Sequence, residues 1–227
     1  MDHDLDQLLS HPGVTIPDQF PADWSLADLQ RHLGGIPLDR VRLFPSPGYA
    51  TEEHLVQIAE HEGRLYELYE GVLVEKPRGR RESLVAERAR GALAGFVRPQ
   101  GLGEVLGPHT LLRIGRGTVA RPDAAVVGRD RGSPATADRG TARPVVPDLV
   151  LEVRTPAHTE QELATKRNRY FAAGVRAVWI VDPSRRHAVS QETSSPAAEI
   201  PGDGLLDGGD ILPGFRLSLE MLFAPAG

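Results

Sequence analysis

"DLVLEVRTPAHTEQELATKRNRYFAAGVRAVWIVDP" (residues 148–183) holds two apolar runs separated by one polar segment of helical length. Leu149, Val150, Leu151 and Val153 form the near-continuous run that a sheet covered on both faces uses. The polar segment opens with Thr159 and Glu162 in the S/T-x-x-E capping spacing and closes at Gly174, which marks a helix. "VRAVWIVDP" (175–183) reads as a second buried strand. Strand, helix and strand of this length predict a parallel pair with a right-handed crossover. One residue breaks the pattern. Glu152 sits in the middle of the first strand, where a charge must be paired, coordinated or neutralised.

Working outward, "ATEEHLVQIAEHEG" (50–63) is a helix with Glu near its start and Gly at its end, and "RLYELYEGVLVEK" (64–76) alternates around a Gly as a hairpin or two short strands. "RRESLVAERARGALAGFVRP" (80–99) is the clearest helix, with Val85, Ala89, Leu93 and Phe96 at three- to four-residue spacing and Pro99 as the stop. Glu82 falls one turn before Val85 and Ala86, on or beside the apolar face; a place in the first turn, favoured by the helix dipole, explains it equally. "GEVLG", "HTLLRI" and "TVARPDAAVVG" are three β-prone runs, most simply a meander, and "RDRGSPATADRGTARPVVP" (129–147) is a polar loop. Residues 1–48 are rich in Pro, Gly and Asp, with one short helical pattern at "SLADLQRHL", and are expected to form an N-terminal extension. Residues 49–227 then make one domain.

With no cysteine, the chain has neither disulfides nor thiolate metal sites. Its start, "MDHDLDQLLSHPG", lacks a basic n-region and a long apolar stretch, so no signal peptide and no membrane association are expected, and a soluble cytoplasmic protein is the default. The net charge of -5 is unevenly spread: residues 76–131 carry 12 basic and 5 acidic side chains, whereas residues 1–75 carry 4 and 14. The middle piece is the candidate footprint for a polyanion, or else a solvated arginine-rich helix face. Of the 26 basic residues only Lys76 and Lys166 are lysines. In so Arg-biased a chain, Lys166 points to a place that needs a compact ammonium rather than a planar fork.

Asp123 follows Pro122 in the third β-prone run. If its strand neighbours that of Glu152, the two carboxylates converge at one sheet edge, with Glu82 facing them from the first helix. Carboxylates without thiolates or a His cluster favour a hard ion, Mg2+ over Zn2+. No G-x-S-x-G, P-loop or H-E-x-x-H spacing occurs.

"YELYEGVLVEKP", "RPDAAVV", "PDLVLEVRTP" and "ELATKRNRYFAAGVRAVWIVDP", in this order and spacing, resemble the Uma-two family of endonucleases, a branch of the PD-(D/E)XK restriction-nuclease-like superfamily. The likeness runs from about residue 50 to 223. It implies an α/β restriction-endonuclease-like fold, an α-β-β-β-α-β core with a mixed central sheet flanked by helices, and metal-dependent cleavage of phosphodiester bonds, in DNA before RNA. Carried over by position, Asp123 is the Asp of the PD motif, Glu152 the acidic residue of the second motif, and Lys166 the lysine on the following helix; Glu82 resembles the extra helix glutamate of the superfamily. Glu67 sits at a family-typical position, which a strand-end salt bridge explains as well. Where the superfamily often has Lys, two residues after Glu152, this chain has Arg154. Alternation places Arg154 on the face of Glu152, where it could pair with that carboxylate or hold a phosphate, but it cannot act as a base.

The expected mechanism has Asp123 and Glu152, with Glu82, holding Mg2+ or Mn2+, which activates a water and polarises a phosphate oxygen. Lys166 orients that water or offsets the growing charge. Arginines between 78 and 98 contact backbone phosphates. Tyr170 and Trp179 read as core. A homodimer is expected from the habit of nucleases on two-fold duplex sites. The competing expectation is a nuclease fold that no longer cuts and binds nucleic acid or a protein partner.

Overall fold

The computed structural model describes residues 20–21, 23–131, 142 and 144–225. In chain order the elements are α1 (Leu26–His32), α2 (Glu52–Glu62), β1 (Tyr66–Tyr69), β2 (Val72–Glu75), α3 (Arg80–Val97), β3 (Gly103–Leu106), β4 (Leu112–Gly115), β5 (Thr118–Ala120), β6 (Ala124–Gly128), β7 (Leu149–Val153), α4 (Glu160–Ala172), β8 (Ala177–Asp182), β9 (His187–Glu192), β10 (Ala198–Ile200), β11 (Leu205–Asp207), β12 (Arg216–Ser218) and α5 (Leu219–Leu222).

Local chemistry accounts for the boundaries. Thr159 caps α4 by accepting the Glu162 N–H through its hydroxyl at 3.0 Å, and the chain leaves that helix through Gly174 at φ +97°. β1 and β2 pair antiparallel through a two-residue turn in which Glu70 and Gly71 both have positive φ, 51° and 78°. That turn suits the right-handed twist of a hairpin. Gly71 is also confined by space, since a Cβ there would fall 2.3 Å from the Gly48 carbonyl oxygen.

The central sheet has six strands in the order β10-β9-β8-β7-β6-β3, antiparallel apart from the β7–β8 pair that α4 connects. Helix α3 packs Val85, Ala89, Leu93 and Val97 into a core with Leu149, Leu151 and Trp179. On the opposite face, Leu163 and Tyr170 of α4 pack with Ala125, Val150 and Val178. Both faces are therefore covered, which is why β7 and β8 are apolar almost throughout. Taken in order, α3, β3, β6, β7, α4 and β8 make the expected α-β-β-β-α-β core.

The simple meander is not what forms. β4 and β5 belong to a separate four-stranded sheet, β2-β1-β5-β4, and only β3 and β6 join the central one. The run "TVARPDAAVVG" is thus two strands, broken at Arg121-Pro122-Asp123. Pro122 has no N–H for a ladder and constrains the residue before it. The chain changes sheets there, and Asp123 is left at the seam.

Residues 26–41, read in the sequence as part of an extension, cover the hairpin. Leu29, Leu33, Ile36 and Val41 pack with Tyr69, Val72 and Val74. Arg40 is buried and binds Glu162 of α4 through both guanidinium ends at 2.7 and 2.8 Å. Of the polar loop 129–147, residues 132–141 and 143 lie outside the described residues.

Candidate active site

β6 and β7 pair antiparallel with Ala124 opposite Leu151. One step further along that register, Asp123 faces Glu152. Asp123 Oδ2 accepts the Val153 N–H at 2.7 Å, and its Oδ1 lies 3.0 Å from Lys76 Nζ. The same ammonium is 3.1 Å from Glu152 Oε2 and donates to the Arg121 carbonyl oxygen at 2.6 Å. From the other side, Lys166 Nζ lies 2.9 Å from Glu152 Oε1, and the Tyr170 hydroxyl donates to that oxygen at 2.6 Å. Glu152 is held between the only two lysines of the chain, which is how a carboxylate survives in the middle of a buried strand.

The cluster extends one residue deeper. Lys166 Nζ is also 2.9 Å from Glu67 Oε1, which accepts the Arg121 N–H at 2.8 Å, while Glu67 Oε2 accepts from the Tyr69 hydroxyl at 2.8 Å. Burial alone would push Glu67 up, but the charges of Lys166 and Lys76 outweigh it and hold that carboxyl below the ordinary range. Burial would likewise push both ammoniums down; Glu152 and Glu67 keep Lys166 above its usual range, and Asp123 and Glu152 do the same for Lys76. Tyr69 and Tyr170 are pushed well above the phenol range, by burial first and by the carboxylates next, so both stay donors.

A cleft of about 480 Å³ opens onto one side of this network, lined among others by Lys76, Arg78, Glu82, Arg90, His109 and Asp123. Glu82 folds back over Gly79, where a Cβ would meet its Oε2 at 1.9 Å. The glycine therefore makes room for the carboxylate. Asp123, Glu152, Lys166 and Glu67 come together, and Glu82 lines the same cleft as Asp123. Glu152, Lys166, Glu67 and Tyr170 are buried and do not line the cleft.

Arg154 goes elsewhere. It lies just past the end of β7 and pairs with Glu160 and, at 3.5 Å, with Asp182. The alternation that would have set it beside Glu152 ends with the strand. Several arginines of the basic middle piece brace the fold: Arg81 donates to the Pro183 carbonyl, Arg88 to those of Leu222 and Pro225 at 3.0 and 3.1 Å, and Arg90 pairs with Glu87. The sequence reading missed Lys76 in the site, although the rarity of lysine that singled out Lys166 applied to it equally. It also took Tyr170 for plain core, because a helix-face pattern does not reveal which buried oxygen a hydroxyl will meet.

His158 borders the network and makes its own prediction. Its Nδ1 accepts the Thr155 N–H at 3.0 Å. Burial first, then the charges of Lys166, Arg40 and Lys76, depress its pKa to about 2. Glu162, 3.8 Å away, offers little counterweight because Arg40 already binds it at both oxygens. The unfolded chain protonates this ring near pH 6.5 and the folded one does not, so the unfolded state binds more protons below that pH and stability falls as pH falls, by about 1.4 kcal/mol per pH unit. Between pH 6.5 and 5 the loss should be roughly 2 kcal/mol. Urea unfolding at several pH values should show this slope in the wild type and not in His158→Asn. Parallel slopes in the two proteins would refute it.

Among the described residues there is no group of three or more His, Cys, Asp and Glu side chains placed to hold a metal ion. What does converge is Asp123 Oδ1, Glu152 Oε2 and the Arg121 carbonyl oxygen, all around Lys76 Nζ. Hard oxygens with two negative charges match the preferences of Mg2+ or Mn2+. The donor set fits the chemistry of a divalent ion, and Lys76 Nζ contacts all three of these oxygens.

A family model named Uma2 and described as "Putative restriction endonuclease" matches residues 52–220. The chain belongs to the Uma2 family. The match spans α2 to the start of α5, the stretch that carries the four- and six-stranded sheets, the β11–β12 pair and the whole carboxylate and lysine network. A crystal structure from Anabaena variabilis, titled as a putative nuclease belonging to DUF820, is similar to this Uma2 member at 17% identity with a TM-score of 0.61, over 70% of this chain and 90% of that one. That likeness shows a shared fold. No curated protein matches the chain. Among the described residues no helix is long and apolar enough to cross a membrane.

Proposed function

We propose that this Uma2 member is a Mg2+- or Mn2+-dependent endonuclease that hydrolyses phosphodiester bonds in DNA. The observation that carries the reading is the pair Asp123 and Glu152, joined through Lys76 Nζ, with Asp123, just before β6, at the edge of a cleft whose wall includes Arg78 and Glu152 buried in β7 behind it. The restriction endonuclease description of the family supports DNA as the substrate.

Asp123 and Glu152 would hold the ion, with Glu82 on the cleft wall as an additional acceptor for it or for its water. When bound, such an ion supplies a water of lowered pKa and polarises a phosphate oxygen. The protein's share is orientation. The Val153 N–H fixes Asp123 Oδ2 and leaves Oδ1 to Lys76, 3.0 Å away, and Lys166 with Tyr170 fixes Glu152 through Oε1. Lys166 is then a positioning residue, because it pairs with Glu152 and Glu67 and does not line the cleft. Arg78 is placed to meet a backbone phosphate, which makes affinity salt-dependent and largely independent of sequence. Hydrolysis forms one bond from water oxygen to phosphorus, breaks one ester bond, and leaves a proton on the departing oxygen.

The second reading is a binding module without chemistry. It is favoured by the fact that Asp123, Glu152 and Glu67 are all balanced by lysines within the chain. Supercoiled plasmid, labelled single-stranded DNA and RNA, each incubated with the protein in EDTA, Mg2+ or Mn2+, separate the two. Nicking that needs the metal supports the nuclease. Cleavage that persists in EDTA removes the metal from the reading, and retained DNA binding without cleavage under all three conditions establishes the binding module.

A further inference from the structure

Lys76 holds the point where three oxygens meet, at 3.0 Å from Asp123 Oδ1, 3.1 Å from Glu152 Oε2 and 2.6 Å from the Arg121 carbonyl oxygen. Two facing carboxylates on adjacent strands repel each other unless a cation lies between them. These are hydrogen-bond distances, and a divalent ion needs the same oxygens at about 2.0–2.6 Å. The ammonium and the ion therefore cannot use them together. Lys76 differs from Lys166 in one decisive respect, since it lines the cleft as well as the network. Its four-carbon stem carries a compact head with three rotatable donors, which can change partners where an arginine fork would be committed to one geometry.

We propose that Lys76 is the resident cation of the metal position: it holds Asp123 and Glu152 together until the divalent ion takes its place, and it then turns into the cleft as a catalytic lysine against the scissile phosphate. The inference rests on the metal-dependent nuclease reading above. Under it, the fold stays intact without metal because one of its own side chains supplies the missing charge. Loading the ion and arming the cleft with a lysine become the same event.

Because the chain has only two lysines, amine chemistry reads this exchange directly in the wild-type protein. The native protein is pulsed with an acetylating ester in EDTA or in Mn2+, and modification at each lysine is measured by peptide mass. Both lysines should be protected in EDTA, and Mn2+ should raise the Lys76 rate about tenfold or more while Lys166 stays protected. Manganese binding is followed in parallel by electron paramagnetic resonance with wild type, Asp123→Asn and Lys76→Met. Lys76→Met should bind Mn2+ about tenfold more tightly yet cleave more slowly, a divergence that damage to the fold would not produce. If the wild type binds Mn2+ through Asp123 but Lys76 labelling does not change, the exchange is overturned and the metal site stands. If the wild type neither binds Mn2+ nor cleaves, both the nuclease reading and the exchange fall. Should Lys76→Met fail to fold without metal, the labelling of the wild type decides.

Discussion

Lys166→Met is expected to lower the stability of the fold by about 3–5 kcal/mol, the range for removing one partner of a buried ion pair. For a chain of this length that corresponds to a fall in Tm of roughly 6–20 °C. The cause is specific. Lys166 is 3% exposed and is shared by Glu67 and Glu152 at 2.9 Å each, so a methionine leaves two buried carboxylates short of a charge. Neither can turn to water, because Glu67 is 2% exposed and Glu152 likewise. Adding Glu67→Gln to Lys166→Met should recover part of the loss, since it removes one of the stranded charges; a double-mutant cycle measures that coupling. Arg90→Ala, which breaks the exposed pair with Glu87, is the comparator and should cost no more than about 1 kcal/mol. A Lys166→Met protein as stable as Arg90→Ala would mean that the buried network contributes nothing the packing around it does not.

The second large effect is on chemistry. Asp123→Asn should reduce cleavage about a thousandfold or more, equivalent to about 4 kcal/mol in the barrier, because an amide is a poor ligand for a hard divalent ion. The fold should survive. The asparagine carbonyl oxygen can still accept the Val153 N–H that Asp123 Oδ2 accepts now, at 2.7 Å, and the side chain sits at the cleft edge rather than in the core. The modest cost comes from turning an amide N–H2 toward the Lys76 ammonium. Single-turnover cleavage of plasmid in Mn2+, with thermal unfolding of the same preparation, tests both halves. A folded Asp123→Asn protein that cuts within tenfold of the wild type would remove Asp123 from the metal site.

Much of the architecture was legible before any coordinate. The continuous apolar runs around Val150 and Val178, with a capped helix between them, imply a parallel pair covered on both faces, and the structure has that pair with α3 and α4 on opposite sides. Hairpin chemistry at Glu70-Gly71 was equally local. The split of "TVARPDAAVVG" between two sheets was less accessible, because Pro122 announces a break without saying which sheet the next residue joins.

The amino-acid sequence by itself determined that a charged residue would stand in a buried strand and that something must compensate it, since burial follows from the apolar run and the cost of an unpaired charge is general. It also singled out Lys166, through the rarity of lysine in an arginine-rich chain. Which groups compensate Glu152 was decided by tertiary structure alone. Lys76 comes from the end of a hairpin 76 residues away and Lys166 from the crossover helix, and both meet the carboxylate because two sheets and α4 are packed against one another. Spacing along a strand or helix constrains neighbours within that element. Contacts between elements depend on how their faces dock, and that docking separates the lysine that lines the cleft from the one that does not.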